Sequence, residues 1–184
     1  QATQPEIEFC QTNRGIVQIF ADAQAKGELP QRITHNDTKI DNVLLDQETD
    51  EVMCIVDLDT VMPGLIHYDF GDMVRTLTSP ADEDERDLDK VTMRMDFFNA
   101  LAKGYLSEAN DFLSEAEKGY LAQAGKVITF QLGVRFLTDH LNGDTYFRVH
   151  REGQNLDRAR VQFKLVESML ENEEAMKATI AALS

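Results

Sequence analysis

Ten carboxylates and a single basic residue, Lys39, lie between His35 and Asp72. Two of the acids, Asp57 and Asp59, end the apolar run VMCIVDLD at 52–59, where burial is expected. A carboxylate taken out of water is costly unless it is paired, hydrogen-bonded or bound to a cation. Hard oxygen donors gathered in this way point to a divalent metal. Just upstream stands His35-Asn36-Asp37-Thr38-Lys39-Ile40-Asp41-Asn42, which reads H-x-D-x-x-x-x-N. The run that ends in Asp57 follows it directly.

The elements around this segment can be read from period and punctuation. Residues 32–42 mix polar side chains without helical spacing. VLLD at 43–46 and VMCIVDLD at 52–59 flank the polar turn QETDE. Two short strands so joined predict a β-hairpin, with the preceding loop held at its edge. Residues 6–26 read as one helix with Ile16, Phe20 and Ala23 on a common face; Gly27 stops it and Pro30 follows. From Pro80 onward the chain reads as all helix. Ser79 then Pro80 gives an N-cap and a first-turn proline. The acidic run at 81–85 suits a helix start, where the macrodipole favours anions. Val91, Met95, Phe98, Ala102 and Tyr105 form one stripe. Ser114 with Glu117 predicts a capping box. Val127, Phe130, Val134, Leu137 and Leu141 form a second stripe, ended by Asn142-Gly143. A last helix from about Asn155 carries Ala159, Phe163, Val166 and Leu170. These stripes read as core packing.

The 184 residues suit one domain or one large lobe. With 42% apolar residues and no low-complexity tract, the chain has the material for a core. Its net charge of -15 argues against nucleic acid and against anionic membrane surfaces as partners. Only Cys10 and Cys54 are present; Cys54 reads as a small buried hydrophobe, and a reducing cytoplasm is the default location. No run approaches the roughly 20 apolar residues of a membrane span. The start, QATQPEIEFCQ, lacks the basic and apolar regions of a signal peptide, and lacks an initiator Met. His67 and His140 read as hydrogen-bonding residues, since no His pair has zinc spacing.

The H-x-D-x-x-x-x-N pattern followed by a strand ending in Asp resembles the catalytic loop of the kinase superfamily. Its wording is similar to the aminoglycoside phosphotransferase and choline kinase group, and within it to sugar kinases related to N-acetylhexosamine 1-kinase. THNDTKIDNVL, CIVDLDTVMPG and YDFGD carry the likeness, with fainter echoes in RFLTDHLNGDTYFRV and NLDRARVQFKLV. The resemblance implies a mainly α-helical fold with a small β-hairpin, the C-terminal lobe of a kinase-like enzyme. It implies ATP as co-substrate, Mg2+ as cofactor and a small hydroxylated acceptor, an N-acetylhexosamine above all. Asp37 would accept the acceptor's hydroxyl proton. Asn42 and Asp57 would hold the metal, and Lys39 would touch the transferring phosphoryl group. His35 would hold the loop in shape. Asp59 fits either a second metal ligand or a partner for a nearby base. Asp69-Phe70-Gly71 spells the D-F-G of protein kinases, yet it stands too far past Asn42 for the metal role. Asp69 is therefore expected to brace the catalytic loop. Arg135, on an apolar helix stripe, and Tyr146, just past the Asn142-Gly143 break, are the candidates for the acceptor pocket.

A complete kinase-like enzyme also needs a glycine-rich loop and a strand lysine over the phosphates. Neither occurs here. Residues 1–184 are thus expected to be a catalytic lobe whose partner is an N-terminal ATP-binding lobe, and to be inactive alone. Two rival readings remain: a different acceptor such as homoserine, choline or an aminoglycoside, and a non-catalytic module that keeps the shape without turnover.

Overall fold

Helical spacing of apolar residues fills most of the chain, and helices result. The computed structural model describes residues 3–184. Among them are α1 (Gln4–Thr12), α2 (Gln18–Ala25), α3 (Ile66–Thr78), α4 (Met95–Ala109), α5 (Glu115–Leu141), α6 (Gln154–Glu171) and α7 (Glu173–Leu183). Between α2 and α3 run four short strands, β1 (Arg32–Thr34), β2 (Val43–Leu45), β3 (Val52–Ile55) and β4 (Met62–Gly64). β2 and β3 form the antiparallel hairpin, with Val43 opposite Ile55 and Leu44 opposite Cys54. β1 pairs antiparallel with β4, Arg32 opposite Gly64 and Thr34 opposite Met62. No helix among the described residues is long and apolar enough to cross a membrane.

α5 is the spine. It packs against α3 and α6, and buries Leu121, Ala124, Val127 and Phe130. α3 answers with Phe70, Gly71 and Val74, all buried, and Phe70 meets Phe98 of α4 edge-on at 6.3 Å between ring centroids. Gly71 sits where a Cβ would come within 2.5 Å of the Ala124 carbonyl oxygen, so α3 approaches α5 backbone to backbone. α5 begins at the capping box read from the sequence: the Glu117 N–H donates to Ser114 Oγ, and the Ser114 N–H donates to Glu117 Oε2 at 2.9 Å. The same Glu117 carboxylate accepts two bonds from the Arg32 guanidinium, at 2.6 and 2.8 Å. The Arg32 hydrogen bond, working against burial, holds the Glu117 carboxyl down at about 2. The start of the spine is thereby pinned to the strand that leads into the loop at 35–42.

Several expectations from the sequence are corrected. The helix over 6–26 is interrupted by a 3-10 turn, Arg14–Val17, after Asn13 turns its amide back to the Phe9 carbonyl. Ser79-Pro80 ends a helix rather than starting one. A residue before proline is driven out of the helical region, and Ser79 accordingly has ψ 133° at the end of α3. Residues 81–85 are loop, and the next α-helix waits until Met95. Their acids face cations across the fold: Asp84 binds Arg151 at 3.0 Å, and Glu83 binds Arg158 at 3.1 Å. The second hairpin strand stops at Ile55, because Asp57 has φ 64° and breaks the extended run. The hairpin stands clear of the helical body, so Cys54, Asp57 and Asp59 are exposed rather than buried. The β1–β4 pair and the break at Asn172 between α6 and α7 were not legible in the residues alone.

The glycine contacts yield a paired expectation. Gly71→Ala should cost about 1–3 kcal/mol, because the obstructing atoms are backbone. Gly104→Ala, where a Cβ meets nothing within 4 Å inside α4, should gain roughly 0.5–1 kcal/mol. Thermal unfolding of both variants checks the pair.

Candidate active site

The loop between β1 and β2 is short and polar, so its shape must come from hydrogen bonds. Asp69, in the first turn of α3, supplies two of them. Its carboxylate accepts the backbone N–H of His35 at 2.8 Å and of Asn36 at 2.7 Å, and its carbonyl accepts Thr38 Oγ1 at 2.6 Å. Asn36 takes φ 65°, a left-handed conformation that asparagine tolerates better than most residues. Its amide nitrogen donates to the carbonyls of Thr34 and Thr60, and its Oδ1 accepts Thr34 Oγ1 at 3.0 Å. Thr60 Oγ1 in turn donates to the His35 carbonyl at 2.7 Å. Gly64 is required opposite: a Cβ there would lie 2.5 Å from Thr34 Oγ1.

His35 ties the loop to the hairpin. Its Nε2 lies 3.1 Å from the Val56 carbonyl oxygen, which can only accept, so the proton sits on Nε2. Nδ1 is left to accept the Asp37 N–H at 3.3 Å. The Val56 N–H donates to the Asn42 carbonyl. The residue before Asp57 is therefore fastened to both ends of the loop.

Asp37 is half-buried and held from two sides. Lys39 Nζ donates to its Oδ2 at 2.9 Å, and so does Asn42 Nδ2 at 2.9 Å; Asn42 Nδ2 also reaches the Asp37 carbonyl at 2.8 Å. Burial pushes the Asp37 carboxyl up, but the hydrogen bonds from Lys39 and Asn42, with the charge of Lys39, together leave it below its ordinary range. Lys39 moves the other way, raised by its bond to Asp37 against burial, with Asp57 and Asp41 adding to the rise. The net shift is downward, which favours the carboxylate form of Asp37.

Asp37 opens onto a cleft of about 310 Å3. Its walls include Tyr68, Asp72 and Arg75 from α3, and Gln131 and Arg135 from α5. Arg75 pairs with Asp72 at 2.9 Å. Of the residues read from the sequence, His35, Asp37, Lys39, Asn42 and Asp69 come together in one hydrogen-bonded cluster, and Arg135 shares the cleft with Asp37. Tyr146 does not line that cleft. It is 74% exposed and meets Arg135 at 3.4 Å, on the wall of a neighbouring hollow. Asp59 is exposed on the 3-10 turn Leu58–Thr60.

Tyr68, Asp72 and Arg75 were missed. Their spacing puts them on one face of α3, and a polar line beside the buried Phe70 and Val74 was the signal. Asn36, Thr34 and Thr60 were missed because a knot between residues distant in sequence leaves no periodic trace.

Among the described residues no three His, Cys, Asp or Glu side chains gather as metal ligands. The oxygen donors on offer are Oδ1 of Asn42, whose Nδ2 binds Asp37, and the exposed Asp57 carboxylate, whose charge is felt at Lys39. Both are hard oxygens, and two protein ligands completed by phosphate and water oxygens is a pattern that suits Mg2+. The residues therefore fit that ion in donor chemistry.

The Asp37–Lys39 pair can be tested directly. Lys39→Met should raise the Asp37 carboxyl, followed as a carboxyl-carbon titration by NMR. A depressed carboxylate contributes stability above its unfolded value of 3.8 and loses it as pH falls through the folded value. The variant should accordingly show a shallower loss of stability below that pH.

Residues 3–109, more than half of the chain, match the family model described as the phosphotransferase enzyme family.

Proposed function

The chain belongs to the phosphotransferase enzyme family, and on that premise we propose that it carries the acceptor and metal side of an ATP-dependent kinase for a sugar hydroxyl, that of an N-acetylhexosamine. The observation that carries this reading is the ionised Asp37 carboxylate, fixed by Lys39 and Asn42 at the mouth of a cleft sized for a small polar molecule.

In the proposed reaction the acceptor's hydroxyl lies against Asp37. As its oxygen forms a bond to the γ-phosphorus of ATP, its proton passes to the Asp37 carboxylate, and the bond from that phosphorus to the leaving diphosphate breaks. Lys39, held 2.9 Å from Asp37, supplies positive charge beside the transferring group. Asn42 and Asp57 would hold Mg2+, which when bound neutralises charge on the phosphate oxygens. Asp59, exposed one turn further on, is the candidate for a second metal contact. Arg135 would bind acceptor hydroxyls from the opposite wall.

Two arginines, Arg75 and Arg135, and two aspartates, Asp37 and Asp72, line the cleft, a balance of charge that suits a neutral, hydroxyl-bearing acceptor. The exposed apolar side chains of the hairpin, among them Leu44, Val52, Met53 and Ile55, suit contact with a nucleotide base and with the lobe that would hold it. Both cysteines are free, in keeping with a reducing cytoplasm.

Asp37→Asn should lower turnover by about 10²–10⁴-fold, the usual range for a general base, with nucleotide affinity retained. Asp57→Ala should instead raise the Mg2+ concentration needed for half-maximal rate. Steady-state kinetics of the intact protein with ATP, Mg2+ and N-acetylglucosamine separates the two. An Asp37→Asn variant that kept more than about half of its turnover would remove the base from the scheme.

A further inference from the structure

One face of α3 and one face of α5 wall the Asp37 cleft. Tyr68, Asp72 and Arg75 follow one another at single-turn spacing on α3, as Gln131 and Arg135 do on α5. Several polar groups of the cleft are already satisfied within the protein. Asp37 holds Lys39 and Asn42. Asn36 spends its side-chain amide on Thr34 and Thr60. Arg75 is turned to Asp72 and, at 3.9 Å, to Glu83, and Arg135 meets the Tyr146 hydroxyl at 3.4 Å.

Three groups have no such partner among the described residues. Both contacts from Arg75, through Nε and through Nη2 at 2.9 Å, fall on Oδ1 of Asp72. Asp72 Oδ2 accepts nothing, although the residue is only 9% exposed. Nor is that oxygen sealed in: the fully enclosed, unpaired side-chain atoms belong to other residues, such as Glu6, His67 and Gln162. The Tyr68 hydroxyl and the Gln131 amide are unpartnered and unsealed in the same way. Buried polar groups in folded proteins are nearly always hydrogen-bonded. Three free ones lining a single cleft, one of them on a buried carboxylate, point to a ligand that completes them.

Their chemistry narrows that ligand. A carboxylate oxygen only accepts, so Oδ2 demands an O–H or N–H. The Asp72 charge is answered by Arg75, as that of Asp37 is by Lys39, so an ammonium group gains little here over a neutral hydroxyl. The Gln131 amide both donates and accepts, which suits a hydroxyl as well.

We propose that Asp72 and Gln131 select the acceptor: Asp72 Oδ2 accepts a hydrogen bond from one hydroxyl, and the Gln131 amide pairs with another, while the hydroxyl to be phosphorylated lies at Asp37. The inference rests on the sugar-acceptor reading above and adds the residues that recognise the hydroxyls that do not react. It makes the acceptor a polyol, since a molecule with a single hydroxyl would serve Asp37 and leave Asp72 unpaired.

NMR titration of the whole chain with N-acetylglucosamine, and with its analogues that each lack one hydroxyl, tests this. In wild type, removal of the hydroxyl that meets Asp72 should weaken binding about tenfold or more, the usual cost at a charged partner. Asp72→Ala should bind the parent sugar and that one analogue within about twofold of each other, because their coupling to Asp72 is gone. Its response to the other analogues should match wild type. Gln131→Met, on the facing helix and clear of the Asp72–Arg75 pair, should do the same for a different hydroxyl, and it decides the matter if Asp72→Ala does not fold. Identical affinity ratios in wild type and variants overturn the inference while the acceptor reading stands. A preference for glucosamine over N-acetylglucosamine that vanishes in Asp72→Ala would assign the carboxylate to a cation, and overturns it too. Absence of binding of any of these sugars to wild type overturns both readings.

Discussion

The Asp69 carboxylate, holding the backbone N–H groups of His35 and Asn36 at 2.8 and 2.7 Å, is the contact on which the site depends. The loop of residues 35–42 has one apolar side chain, Ile40, and it is exposed, so packing does not anchor it. Asp69 lends it the rigidity of α3, and α3 is itself locked in place by Phe70, Gly71 and Val74 against the α5 spine. An ionised carboxylate accepting two backbone donors makes stronger bonds than a neutral acceptor would. The position of Asp37 is thereby referred back, through one side chain, to the hydrophobic core. The second tether runs from Arg32 to Glu117, and fixes the strand that enters the loop to the first turn of the same spine.

Charge in the site is arranged in alternation. Asp37 sits between Lys39 and Asn42, Lys39 feels Asp57 and Asp41 as well, and Arg75 on the facing helix is matched by Asp72. In a chain with a net charge of -15, this local pairing gives the cleft both signs of charge rather than a bare negative wall.

Much of this was legible in the residues. The order His35, Asp37, Asn42 marked the loop, and the structure joins these residues in one hydrogen-bonded cluster. Ser114 and Glu117 marked the start of α5, because a capping box is local. What could not be read depended on neighbours far along the chain. Ser79-Pro80 has the same wording at the end of a helix as at the beginning, and the acids of 81–85 meet Arg151 and Arg158 across the fold instead of opening a helix. The VMCIVDLD run looked buried because it is apolar, yet the hairpin has no helix packed over it and its side chains stay exposed. The left-handed backbone of Asn36 and of Asp57 gave no sign, since neither residue is glycine.

If Asp69 is the fastening of the catalytic loop, amide hydrogen exchange in wild type and in Asp69→Ala shows it most directly. The account predicts that the His35 and Asn36 amides, protected in wild type, exchange much faster in the variant, while Leu121, Val127 and their neighbours in α5 keep their protection. Unchanged protection at His35 and Asn36, or a uniform loss across the spine, would contradict it.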